Sequence, residues 1–229
     1  MERQFKSWGK VFLRCPTRSE LLDGLVIIFF TWVTWAANNE GALGAVLASS
    51  TVGLLVGLVD KQRAVGVFTG TFAGMVSDSN LSHWTSILVL GLITAVLFRL
   101  FTLYNFASGV GGRLGFTAQL ACTATLLLYF AAGAGHADAF YDPSQYAGFS
   151  AGLAAATVAL TAAAAAATLW VRARRHRAPG GSDDVVTASA LVGLAGAVLA
   201  RAAAGPGHPW GADLALAAYC GSFVGMSGA

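Results

Sequence analysis

Along the chain, apolar stretches of about 17 to 25 residues alternate with short polar breaks, and that is the length at which a helix spans the hydrocarbon of a bilayer. The pattern predicts spans over residues 21–37, 42–59, 85–104, 116–134, 148–171 and 185–204. Two further apolar stretches, 64–76 and 214–229, are shorter. A helix over 64–76 rises only about 20 Å, against a hydrocarbon core about 30 Å thick. The expected fold is therefore an all-α polytopic membrane protein with seven or eight transmembrane segments, two of them short or broken. A β-barrel would need alternating strands of about ten residues, whereas these runs are continuous and rich in Ala, Leu and Gly.

The two short stretches carry the same octapeptide pattern. Phe68-Thr69-Gly70-Thr71-Phe72-Ala73-Gly74-Met75 is matched by Tyr219-Cys220-Gly221-Ser222-Phe223-Val224-Gly225-Met226, with Gly, Phe, Gly and Met identical. Each copy reads aromatic, spacer, Gly, hydroxyl, Phe, small, Gly, Met. Each follows a longer apolar stretch and a polar loop, as corresponding parts of an internal duplication would.

Charge then orients the copies. With the N-terminal tail inside and 64–76 crossing, the Asp60-Lys61-Gln62-Arg63 loop, Arg113 and the cluster Arg172, Arg174, Arg175, Arg177 all fall on one side, and of the 14 Lys and Arg only Arg201 lies opposite. If 64–76 turned back, that bias would collapse, so the positive-inside rule favours a crossing. The two copies are then antiparallel, which makes the duplication an inverted-topology repeat of the kind found in many transporters. The chain divides into a cytoplasmic basic tail (1–20), a first membrane repeat (21–135), an extracytoplasmic loop (136–147) and a second repeat (148–229) that is incomplete. A full second repeat would need about 70 to 80 more residues, or completion by another subunit such as a second copy of the chain. The expected location is the cell (inner) membrane, multi-pass, with the N-terminus cytoplasmic.

Composition agrees. Of 229 residues, 56% are hydrophobic and only 11% charged, too few to cover a soluble surface. The net charge of +3 sits at helix flanks, so it reports topology and not nucleic-acid binding. Cys15, Cys122 and Cys220 are scattered, with no CxxC spacing, and read as small apolar fillers. No small-residue cleavage site precedes Asn38, so no cleaved signal peptide is expected.

The chemistry in the spans is sparse. No lysine lies mid-span, which excludes a retinal Schiff base, and no Asp or Glu does either. His83, His136, His176 and His208 fall in or beside loops, unpaired across spans, so neither metal nor cofactor is expected. HExxH and Walker patterns are missing, and hydroxyls without His or Asp partners make an enzyme unexpected.

What remains is the repeated segment itself. Thr69, Thr71 and Ser222 offer hydroxyls, Phe72 and Phe223 offer ring edges, and Gly70, Gly74, Gly221 and Gly225 let the backbone leave the helix or approach a neighbour. Freed backbone groups at membrane depth are tolerated where they line a cavity. Arg113, among the glycines Gly111, Gly112 and Gly115, is a candidate to face such a cavity and attract anions. Arg99 and Arg201 lie near span ends. The stretch Gly70-Thr71-Phe72-Ala73-Gly74 resembles, over five residues, the Gly-x-Phe-x-Pro anion-binding turn of chloride channels, with Gly74 where that turn has proline. The leading expectation is a channel or carrier for a small ion or solute, an anion slightly preferred, its path between the two segments. The alternative is a non-transporting scaffold or assembly subunit in which the same glycines only pack helices.

Overall fold

A computed structural model describes residues 17–106, 113–133, 150–177, 184–205 and 209–226. Regular structure among these is helical throughout: α1 (Arg18–Asn39), α2 (Ala45–Val59), α3 (Ala64–Ala73), α4 (Trp84–Leu103), α5 (Arg113–Ala131), α6 (Ala151–Arg177), α7 (Val185–Ala204) and α8 (Pro209–Val224). Helices α1, α4, α5, α6 and α7 are long and apolar enough to cross a bilayer, while α2 and α3 are apolar but shorter. Large apolar side chains such as Leu25, Leu55, Val158 and Leu199 are more than half exposed, as lipid-facing residues of a helical membrane protein are.

Local chemistry moves several helix ends away from the hydropathy boundaries. Helix α1 starts early because Thr17 and Glu20 form a capping box: Glu20 N–H donates to Thr17 Oγ1, and Thr17 N–H donates to Glu20 Oε2 at 2.6 Å. It also runs on through Asn38 and Asn39, two residues past the predicted span 21–37. The turn comes after them, with Ala42 at φ 49° and Gly44 at φ 80°, so α2 begins at Ala45. Helix α6 continues through the arginine cluster, which stacks cations at a helix C-terminus where the backbone dipole favours them. Arg174 lies over the Trp170 ring, 4.6 Å from its centroid. The basic tail before Thr17, Gly111 and Gly112, and the acidic loop at 136–147 lie outside the described residues.

Three helix pairs position everything else. Helix α3 lies alongside α1 and runs the same way. Arg63 bridges to Asp23 at 2.9 Å near the start of α1, Gly70 faces Ile27 and Thr31, Gly74 faces Thr31 and Thr34, and Asn38 reaches Met75 and Val76. The short helix and its unwound continuation therefore run the length of α1 between Asp23 and Asn38. Helix α8 lies in the same way along α6, with Gly221 against Thr161 and Gly225 against Ala165 and Thr168. Helices α2 and α7 pack against each other in opposite directions: Gly44 meets Arg201, Gly193 meets Ser50, and Gly57 meets Thr187. Arg99, near the end of α4, pairs with Glu20 at 3.1 Å, and Gly91 of α4 packs on Ile28 of α1. One apolar core gathers Val46, Phe68, Val186, Tyr219 and Phe223 where α2, α3, α7 and α8 meet. A second, around Trp35, Leu81, Ile87, Leu90 and Ala118, ties α1 to α4 and α5.

Candidate functional site

The two octapeptides, far apart in sequence, come together. Four rings form a cluster: Phe68 and Phe72 from α3, Tyr219 and Phe223 from α8. Phe72 and Phe223 touch edge to face with centroids 4.4 Å apart. The crosswise pairs match each other, Phe68–Phe223 at 5.4 Å and Phe72–Tyr219 at 5.4 Å. Such pairs contribute about 0.5–1.5 kcal/mol each beyond area burial. Phe68 and Tyr219 are buried and Phe72 is half-buried.

Hydroxyls flank the rings in two chains. Ser49 on α2 donates to Thr71 Oγ1 at 2.8 Å, and Thr71 donates to Phe68 O at 2.9 Å. Since the Ser49 proton is committed, Tyr219 is the donor in its 2.6 Å bond to Ser49 Oγ. In the other copy Ser222 donates to Tyr219 O at 2.7 Å, which makes Ser189 on α7 the donor to Ser222, also at 2.7 Å. Ser49, Thr71, Ser189 and Ser222 are fully buried. Ser50, equally buried, makes no well-formed hydrogen bond among the described residues. Thr69 turns back onto its own helix, donating to Val65 O at 3.0 Å.

The glycines face elsewhere. A Cβ at Gly70 would sit 2.8 Å from Ile27 O, and one at Gly221 would collide with Thr161 O. Gly74 and Gly225 press in the same way on α1 and α6. These four glycines let α3 and α8 lie against neighbouring backbones, and only the Phe and hydroxyl positions point into the cluster. Arg113 takes no part: its Nη2 donates to Thr102 Oγ1 on α4 at 3.0 Å.

A cavity of about 960 Å³ opens next to the cluster. Gly44, Val46, Met75, Arg201, Asp213 and Ala215 are among its lining residues. Val46 and Ala215 belong to the same core as the rings, and Met75 and Phe72 pack against it, so the cavity floor adjoins the ring cluster. Gly44 sits at φ 80°, where an L side chain would be strained, and Arg201 Nη2 lies 3.1 Å from where its Cβ would be. Both Arg201 and Asp213 are exposed at the cavity. No cluster of His, Cys, Asp and Glu that could hold a metal occurs among the described residues.

Sequence reasoning predicted the spans that bond to the octapeptides but missed the short motif these spans share. Ala48-Ser49-Ser50-Thr51-Val52-Gly53 recurs as Ala188-Ser189-Ala190-Leu191-Val192-Gly193. The counterparts act alike: Ser49 bonds Thr71 as Ser189 bonds Ser222, and Gly53 faces Phe68 as Gly193 faces Tyr219. This A-S-x-x-V-G signal was present but short, and built from residues common in the chain. A scan of family models finds no match for the chain, and neither curated proteins nor solved structures give one.

Proposed function

We propose that this chain is a small membrane transport protein, a carrier or gated channel, whose path for a small inorganic ion runs along the contact between the two octapeptides. One observation carries the proposal: Phe72 and Phe223, from two copies of one motif, close on each other beside a cavity, with hydroxyls from both copies buried at the same place. Ser and Thr hydroxyls in a membrane often hydrogen-bond helices together; what favours a pathway here is their convergence from both copies beside a cavity.

The matched contacts of α1–α2–α3 and α6–α7–α8 support an inverted-topology repeat, since the counterpart helices α2 and α7 run in opposite directions. On that reading α3 and α8 each cross the membrane as short segments. The Asp23 end, with Arg63, Arg99 and the α6 arginines, is the cytoplasmic side by the positive-inside rule. On this reading the cavity lies at the outer end of α2 and α7.

An anion is the preferred substrate. Arg201 is exposed in the cavity together with Asp213, and the positive ring edges beyond it suit an anion; the protons of the two hydroxyl chains, all engaged at rest, would turn to the anion as the rings part. With Phe72 and Phe223 in contact the path is closed, so transport requires the rings to part. No catalytic chemistry is proposed, because the buried hydroxyls are joined only to one another and to carbonyls.

One observation favours a scaffold instead, namely the close seating of Gly70, Gly74, Gly221 and Gly225 on neighbouring helices. Both functions need that packing, and flux separates them. Purified protein in liposomes should release chloride or nitrate faster than protein-free liposomes, and Phe72→Ala or Phe223→Ala should change that rate. A scaffold would give no flux in any variant.

A further inference from the structure

The unwound ends of the two octapeptides are held by different clasps. Asn38 on α1 donates through Nδ2 to Met75 O at 3.2 Å and Val76 O at 3.4 Å, and Asn39 Nδ2 adds a bond to Val76 O at 3.1 Å. On the other copy, Arg172 on α6 donates through Nη1 to Gly225 O at 2.9 Å and Met226 O at 3.3 Å. Asn38 and Arg172 are counterparts. They fall at the same offset that relates Ile27 to Thr161 and Thr34 to Thr168, the residues on which the paired glycines rest. Met75 and Met226 occupy equivalent places in the motif.

The two clasps are chemically unequal. Asn38 offers neutral amide hydrogen bonds. Arg172 offers charge-assisted ones at a helix C-terminus, where the dipole favours a cation, and its side chain is only 6% exposed. Releasing Gly225 and Met226 would leave a buried guanidinium short of acceptors, a heavier penalty than releasing an amide. The packing follows the same asymmetry. At the Asn38 end lies the cavity lined by Gly44, Val46 and Met75. At the Arg172 end Thr187 presses on Gly57, and Val186 and Ala64 are 1% and 2% exposed where their counterparts Val46 and Ala215 are 8% and 5%.

We infer that Arg172 and Asn38 are positioning residues that set the resting conformation of the transporter, Arg172 locking the octapeptide end on its own side while the weaker Asn38 clasp leaves the opposite side open. This rests on the transport reading above. Neither residue touches the ring cluster; each acts through the segment it holds.

The test is accessibility, measured without flux. In protein whose Cys15, Cys122 and Cys220 are replaced by Ser, single cysteines at Met75 and Met226 report the two ends in vesicles, through their reaction rates with a membrane-impermeant maleimide applied from either side. Arg172→Asn replaces the charged clasp by a neutral amide of the kind Asn38 supplies. It should raise the Met226→Cys rate and lower the Met75→Cys rate, each roughly five- to tenfold, as expected when a charge-assisted bond gives way to a neutral one. Arg172→Lys should stay near the parent. Asn38→Ala should move both rates the opposite way, and keeps the inference testable if Arg172→Asn does not fold. Unchanged rates, or Arg172→Asn and Asn38→Ala shifting both reporters in the same direction, would overturn it. Opposite shifts in a protein that conducts nothing would leave the clasps standing and remove the transport reading. Flux with unmoved rates would do the reverse.

Discussion

Phe72 and Phe223 meet at 4.4 Å with their planes inclined at 63°, although one lies in the first third of the chain and the other near its end. If the contact stabilises the closed state, its loss should show as coupling. Phe72→Ala and Phe223→Ala should each lower the melting temperature in detergent, and the double variant should lose less than the sum. The double-mutant cycle should give about 1 kcal/mol of coupling. Strict additivity would mean that the rings only happen to be near each other.

The hydroxyl chain predicts an order of damage. Tyr219→Phe removes a donor and resembles what the first copy already has at Phe68, so it should cost about 1 kcal/mol or less. Ser49→Ala removes both the acceptor of the Tyr219 hydroxyl and the donor to Thr71, leaving only Ser50 and Thr71 near that buried O–H, which should cost about 1–3 kcal/mol. Thermal unfolding of the two variants ranks them. Tyr219→Phe proving the more damaging would mean that the proton order in the chain is reversed.

Glycine substitutions should divide by what a Cβ would meet. Gly221→Ala drives a methyl into Thr161 O and Gly70→Ala into Ile27 O, both backbone atoms that cannot swing aside. Both variants should be strongly destabilised. Gly115→Ala meets nothing within 4 Å and should melt near the parent temperature or slightly above, since it trades glycine for a better helix former. A consequence is that bulky replacements of Gly70 or Gly221 report folding before they report flux.

Arg201 should matter to transport and not to stability. Its side chain is exposed in the cavity, so Arg201→Gln should leave melting unchanged while reducing anion release several-fold at low salt, with a smaller reduction at high salt, where screening already weakens its pull. An equal loss at every ionic strength would point to a structural role.

One pH effect is expected at the Asp23 end. The Arg63 side chain, 2.7 Å from Asp60 Oδ2, holds the Asp60 carboxyl below its usual value, and the Arg63 backbone N–H adds to this. A carboxyl depressed in the folded state contributes stability above its unfolded pKa, and that contribution is lost as pH falls through the lower folded value. Asp60→Asn should therefore melt earlier than the parent at pH 7, with the difference vanishing in strong acid.

The class of fold was legible because lipid imposes long apolar runs, and these need no tertiary information. The recurring pattern was legible at the octapeptides, where Gly, Phe and Met recur at fixed spacing. What stayed hidden depends on partners. Asn38 and Asn39 have turn composition, and only the carbonyls of Met75 and Val76 explain why the helix carries them. Asn38 and Arg172 share a role but no chemistry, so no comparison of the two halves by residue type pairs them. Arg113 drew notice for its glycine neighbours, yet its guanidinium is bound to Thr102. Arg201, whose sign looked wrong for topology, is the arginine that faces the cavity.

The most direct test of the central claim is anion release from liposomes containing the purified protein, loaded with chloride or nitrate and compared with protein-free liposomes. The account predicts protein-dependent release that changes in Phe72→Ala and Phe223→Ala and is unaltered in Gly115→Ala. Release of chloride, nitrate, sodium and potassium all at the protein-free rate would contradict it and leave the paired octapeptides as architecture alone.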